Sequence, residues 1–275
     1  MTTTLWINGA IVPDDEAKVS AFDHGLTVGD GVFETLRVYR GAPFALTRHL
    51  DRLQRSAEGL RLACPDEALL REAVKVVLET GGLHEARLRI TVTGGPAPMG
   101  SGRADVPPTV IVAASPAEDW PAEAAVCTVP WPRNEHGVLA GIKTTSYAEN
   151  VVALAFARER GASEAIFGNL AGSLCEGTGS NVFLVVDGRL VTPTLMSGCL
   201  AGVTRQLLIE QVGAEEWDVP LAGLAEAEEA FLSSSTREVQ PISTVDGNPL
   251  LACPGPRTRA AAAAFRALVE RDLDP

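Results

Sequence analysis

No stretch of the 275 residues approaches the roughly 20 apolar residues that a membrane-spanning helix needs. The opening MTTTLWINGAIVPDD has neither the basic start nor the apolar run of a signal peptide. Blocks of Lys or Arg are missing too. Acidic residues outnumber basic ones, 35 against 23, for a formal charge of −12. Such a surface repels phosphate backbones and anionic lipid, so neither nucleic acid nor membrane is an expected partner. The cysteines (Cys64, Cys127, Cys175, Cys199 and Cys253) are scattered, odd in number and without a CxxC pair. That pattern suits reduced thiols and a cytoplasmic location better than a disulfide scaffold. His24, His49, His84 and His136 show no metal-ligand spacing, so no metal site is expected. A GxxxxGK[ST] loop is absent, and the nearest thing to GxGxxG, Gly177-Thr178-Gly179, precedes a strand rather than a helix. Ser180 stands in GTGSN rather than GxSxG, which removes the hydrolase elbow.

What is present is an ordinary globule, 46% apolar and 21% charged, with length for one large or two modest domains. Residues 4–12, 86–93 and 107–114 read as strands, and 45–62 and 66–80 as amphipathic helices, the second ended by Gly81-Gly82. The Pro-rich acidic stretch 115–124 marks a boundary, giving an N-terminal α/β domain over 1–118 and a C-terminal domain over 119–275. Beyond it, strands are expected at 124–129, 163–168, 181–187, 189–192 and 229–234. Helices are expected at 149–160, 202–212 and 256–271. Clustered strands with interspersed helices indicate an α+β fold.

The scarcest reactive group is the primary amine. Of 23 basic residues only Lys18, Lys75 and Lys143 are lysines, and a guanidinium cannot form an imine. Lys18 and Lys75 read as surface positions. Lys143 sits in LAGIKTTSYAEN, an otherwise uncharged, hydroxyl-rich segment. Desolvated there, it would keep some neutral amine as nucleophile or base; alternatively its stem packs on a strand and its ammonium reaches water. Glu176, in LCEGTGSNVFLV, either faces a cationic ring nitrogen or sits exposed in a turn. Gly202-Val203-Thr204 opens a helix whose free amides suit a phosphate or serve as a plain cap. Ser233 to Thr236 end a strand with hydroxyl donors.

Taken in order, six blocks resemble the class IV aminotransferase family, the fold-type IV pyridoxal-phosphate enzymes. They are FDHGLTVGDGVFETLRVY (22–39), HLDRL (49–53), GIKTTSYAENVVAL (141–154), EGTGSNVFLV (176–185), GCLAGVTR (198–205) and SSSTREVQPI (233–242). The resemblance implies a two-domain α+β fold like that of D-amino acid aminotransferase, with pyridoxal 5′-phosphate in the interdomain cleft, as a homodimer. It implies that Lys143, on the C-terminal domain, holds the cofactor as a Schiff base and then shuttles protons. Glu176 would pair with the pyridine nitrogen. Arg52 would clamp the phosphate, with the Val203 and Thr204 amides and Thr236, while Ser180 and Asn181 complete the cofactor set.

Three local features bear on the member. Thr35 stands where branched-chain aminotransferases resemble FEGIR with glycine, and Tyr147 comes one place earlier than their tyrosine after the lysine. The D-amino acid enzymes resemble VTRG where this chain has Val92-Thr93-Gly94-Gly95, without the arginine. Arg89 and Arg103 are the alternative carboxylate binders, and Tyr147 a further substrate contact. Overall wording is most similar to the 4-amino-4-deoxychorismate lyases, which release 4-aminobenzoate and pyruvate for folate synthesis, with Thr35 relaying a proton. The other expectation is an aminotransferase acting on a D- or branched-chain amino acid or amine with a 2-oxo acid.

Overall fold

The computed structural model describes residues 3–275, and the chain divides into two compact units. The first comprises the described residues up to Asp119, together with Ile142–Tyr147 and Asp272–Pro275. Its strands are β1 (Thr4–Ile7), β2 (Ala10–Val12), β3 (Gly31–Tyr39), β4 (Ala42–Pro43), β5 (Ala86–Thr93) and β6 (Thr109–Pro116). They form one sheet in the order β2-β1-β6-β5-β3-β4. Helices α1 (His24–Thr27), α2 (Leu46–Gly59) and α3 (Glu67–Gly81) complete it. The apolar stripe of α2 (Leu46, Leu50, Leu53, Ala57) and that of α3 (Leu70, Val74, Val77) share one core with Val32, Leu36, Val38, Leu88 and Ile90 of the sheet. Alternation along β3 therefore sends Phe33, Thr35 and Arg37 to the opposite face, where antiparallel pairing sets them beside Thr91, Arg89 and Arg87.

The second unit comprises Trp120–Gly141 and Ala148–Arg271. Its elements are β7 (Ala124–Thr128), α4 (Ala148–Arg158), β8 (Glu164–Gly168), β9 (Leu174–Gly177), β10 (Asn181–Val186), β11 (Arg189–Thr192), α5 (Val203–Val212), β12 (Glu215–Glu216), β13 (Ala230–Ser234), β14 (Glu238–Val245), β15 (Asn248–Pro249) and α6 (Pro256–Arg271). The sheet runs β12-β11-β10-β13-β14-β7-β8-β9, with β15 on β14. Val126, Ile166, Leu184, Leu232 and Ile242 lie at the centre of its core.

Two expectations are corrected here. The single strand over 4–12 is a hairpin, because Asn8-Gly9 takes positive φ (48° and 109°), the backbone that a tight hairpin turn demands. The second concerns Lys143, which belongs to the first unit rather than the C-terminal one. Its segment lies along the edge of β3: Phe33 N–H donates to Lys143 O (3.1 Å) and Thr145 N–H to Gly31 O (2.8 Å).

Candidate functional site

In the first unit, Phe33 gathers three of the expected site residues. The Lys143 Nζ lies 4.3 Å from its ring centroid and the Arg89 Cζ 3.8 Å, a distance at which a cation is drawn to a ring face. Tyr147 meets it edge-on, centroids 5.3 Å apart. Lys143 is half-buried, and its own amide donates to Ser56 Oγ (3.2 Å). Thr35 shares this sheet face and pairs across the strands with Arg89. Arg89 donates Nε to Thr91 Oγ1 (3.2 Å), and among the described residues it has no carboxylate partner. Burial first, then the Arg87 charge, makes its protonated form harder to keep.

On the core side of the same strand, Glu34 is fully buried and accepts from Arg52 Nε (2.8 Å) and Nη2 (2.7 Å), a bidentate pair. His49, one helical turn before Arg52 on α2, meets the second Glu34 oxygen through Nδ1 at 2.6 Å. Burial alone would raise the Glu34 carboxyl, but Arg52 and then His49 hold it below the ordinary range. Burial draws the His49 imidazole down against the pull of Glu34, and the Arg52 and Lys143 charges push the same way. Arg52 is thus locked in orientation rather than free to swing.

Arg103, the other expected carboxylate binder, is held by an acid of its own unit. Its Nε and Nη2 take both Asp30 oxygens (2.7 and 2.5 Å), and Nη1 and Nη2 donate to the Arg61 and Leu60 carbonyls (2.5 and 2.9 Å). These contacts tie the glycine-rich loop to Asp30 and to the end of α2.

In the second unit, Glu176 on β9 is partly exposed, and its Oε2 accepts from Leu200 N–H (2.9 Å). Ser180 ends the turn that follows and Asn181 opens β10; both are buried. Ser180 Oγ donates to Glu164 (3.2 Å), as do the Thr178 amide (3.0 Å) and its hydroxyl. Asn181 Nδ2 donates to Leu200 O (2.9 Å). A Cβ on Gly202 would stand 2.0 Å from Asn181 Oδ1, so only glycine lets this turn close on the start of α5. Among the described residues Gly202 supplies no side-chain cap to the first-turn amides of Val203 and Thr204, both buried, and such amides suit an anionic group. Thr236 is half-buried just beyond β13.

The family model for amino-transferase class IV matches residues 31–245. The chain belongs to the class IV aminotransferase family. This class IV aminotransferase is 37% identical over 256 residues to a Methanocaldococcus jannaschii protein named "Putative branched-chain-amino-acid aminotransferase", covering 88% of each chain. It is 33% identical to the D-alanine aminotransferase of Staphylococcus epidermidis, covering 89% of this chain and 90% of that one. Its fold matches the crystal structure of the branched-chain aminotransferase from Thermoproteus uzoniensis, solved with norvaline, at a TM-score of 0.91 and 31% identity, over 98% of this chain and 95% of that one. The fold is therefore the fold-type IV α+β fold, and the cofactor is pyridoxal 5′-phosphate.

The donors present suit that group. A half-buried amine answers an aldehyde, a fixed carboxylate answers a ring nitrogen, and an uncapped helix start that tolerates no Cβ answers a phosphate. Sequence reasoning did not single out Phe33, Glu34, His49, Glu164 or Arg133. A signal for His49 was available, since it stands at i−3 from Arg52 and so shares its helix face. Glu164 was visible as a carboxylate opening the apolar strand EAIFG.

Proposed function

We propose that the chain is an amino acid aminotransferase whose preferred donor is a branched-chain amino acid, with a 2-oxo acid as acceptor. The observation that carries this reading is Arg89: a desolvated guanidinium without a carboxylate partner among the described residues, on the same ring as the Lys143 amine. A substrate that brings both a carboxylate and an amine suits that pair. Gly94 favours the branched-chain over the D-amino acid type. It occupies the place of the D-type arginine, and any Cβ there would stand 2.5 Å from Asp30 Oδ2. The lyase expectation gives way because the relatives above are named as aminotransferases.

In this reading the cofactor supplies a carbonyl for the substrate amine and a ring that accepts the electrons left at Cα. Lys143 Nζ holds the cofactor and then moves the proton at the substrate Cα. Glu176 keeps the ring nitrogen protonated. Arg52, oriented by Glu34, binds the phosphate with the Val203 and Thr204 amides and Thr236, while Ser180 and Asn181 hold the turn beside that helix start. Thr35 and Tyr147 line the substrate side with Arg89. The exposed apolar side chains Val151 and Val152 of α4 fit burial in a homodimer.

The test is a product assay on the cofactor-loaded protein with L-leucine, L-valine, D-alanine or aminodeoxychorismate, each given 2-oxoglutarate. Oxo-acid formation from L-leucine and L-valine, lost in Lys143→Ala and reduced at least tenfold in Arg89→Met, is the expected result. Preference for D-alanine, or release of 4-aminobenzoate and pyruvate, would overturn the branched-chain assignment.

A further inference from the structure

Arg133 lies on the loop after β7, outside every motif block that identifies the family, yet contacts on all sides fix its guanidinium. Its amide donates to Gly168 O (2.7 Å), and its Cζ stacks 4.2 Å from the Phe167 ring centroid. Nη1 donates to Asn150 Oδ1 (3.1 Å) and lies 3.4 Å from Glu149. Asn150 in turn donates Nδ2 to Thr178 O. Nη2 stands 3.5 Å from Glu176 Oε1, while the other Glu176 oxygen is held by Leu200 N–H. Among the described residues no acceptor meets the buried Nε of Arg133. An unmet buried donor is costly, so hydrogen bonding alone does not account for placing an arginine here.

We propose that Arg133 is a positioning residue that keeps Glu176 ionised and aimed at the cofactor's ring nitrogen, an inference that rests on the assignment of Glu176 above. A guanidinium stays charged throughout the working range of pH. An opposite charge this close favours the ionised carboxylate. Cys175 and Cys199 are titratable groups that also face Glu176. Both thiols are pushed up, by burial first and then by Glu176 itself, Cys199 to about 11, so they stay neutral. Arg133 thus brings a fixed positive charge within 3.5 Å of Glu176 Oε1. The fork geometry matters as well as the charge: one nitrogen reads Asn150 and the other reads Glu176, tying the carboxylate to the turn that ends at Ser180.

Retention of pyridoxal 5′-phosphate, followed by equilibrium dialysis and by the absorbance of the bound cofactor from pH 8 to pH 4.5, tests this without turnover. Arg133→Gln is expected to move the acid limb of retention upward by about one pH unit. Arg133→Lys, which keeps the charge and is the variant to read if the glutamine form does not fold, should lie between it and the parent. In a Glu176→Gln background, Arg133→Gln should add no further shift. An unmoved limb in both Arg133 variants, or a pH-independent weakening that persists in the Glu176→Gln background, would overturn the proposal. A Glu176→Gln protein with the parent's limb would overturn the Glu176 assignment and this inference together. A shifted Glu176→Gln limb with silent Arg133 variants would overturn this inference alone.

Discussion

Each unit buries one glutamate against one arginine, and the two clusters are built differently. In the first, Glu34 meets two basic side chains, Arg52 and His49, on a helix that begins seven residues after the strand carrying the acid ends. In the second, Glu164 spreads itself over the Ala165 and Thr178 amides, the Thr178 and Ser180 hydroxyls and Arg237 (3.1 Å). Arg237 in turn stacks 3.7 Å from the Trp120 ring and donates to Gln240, which reaches Pro121 O (2.7 Å). The first cluster aims a charged group. The second mainly ties a turn to a strand with neutral donors.

The largest expected effect comes from breaking the two clusters in the same way. Glu34→Gln leaves a buried guanidinium facing a neutral amide and should cost about 3–5 kcal/mol, the usual result of removing one partner of a buried pair. Glu164→Gln keeps an amide oxygen for its backbone donors. Arg237 also keeps the Trp120 ring and Gln240, so about 2 kcal/mol is expected, near the worth of a hydrogen bond to a charged group. Urea unfolding followed by segment-resolved hydrogen exchange reads both. Equal losses would mean that the two carboxylates do the same work.

The same comparison shows what the sequence could reveal. Arg52 was legible because HLDRL is one contiguous block, and α6 and β5 fall where periodicity placed them. Arg237 was not, although it adjoins Thr236, because its partners lie at 120, 164 and 240. No local pattern records that juxtaposition. β3 escaped for a related reason: both faces of GVFETLRVY are largely shielded, so the strand shows no clean alternation of apolar and polar residues. The Lys143 segment is extended and pairs with a strand more than a hundred residues earlier, so its sequence neighbours pointed to the wrong unit.

A middle-sized effect follows from acid. Burial holds His49 below its ordinary value, so as pH falls below about 6.5 the unfolded chain takes a proton that the native imidazole refuses, and stability declines. Glu34 is also held low, by Arg52 and His49 against the effect of burial. Its contribution is therefore present above about pH 4.3 and is lost as pH falls further toward its native value. Acid should therefore loosen the first unit in two stages. Thermal melts from pH 8 to pH 2 on the parent and on His49→Gln are the check: the variant should lose the upper stage and keep the lower. An unchanged upper stage would assign it to another group.

The smallest effect separates two helix starts within the first unit. Helix α3 carries its own cap, with Asp66 Oδ1 accepting from Ala68 N–H at 2.8 Å. Helix α2 begins after Ala45, which takes left-handed backbone (φ 53°) and has no side chain to offer. Its cap comes instead from Asp274, 227 positions away, which accepts from the Thr47 amide (2.8 Å) and hydroxyl (2.6 Å), while Leu273 O accepts from Ala45 N–H (2.7 Å). By the usual worth of an N-terminal cap, Asp66→Ala and Asp274→Ala should each cost about 1 kcal/mol. Only the second loosens the helix that bears His49 and Arg52. Asp274→Ala should therefore weaken cofactor retention severalfold while Asp66→Ala leaves it unchanged. Parallel urea melts and cofactor dialysis on the two variants would show whether a distant cap tunes the site or only steadies the helix: equal retention in both would confine Asp274 to stability.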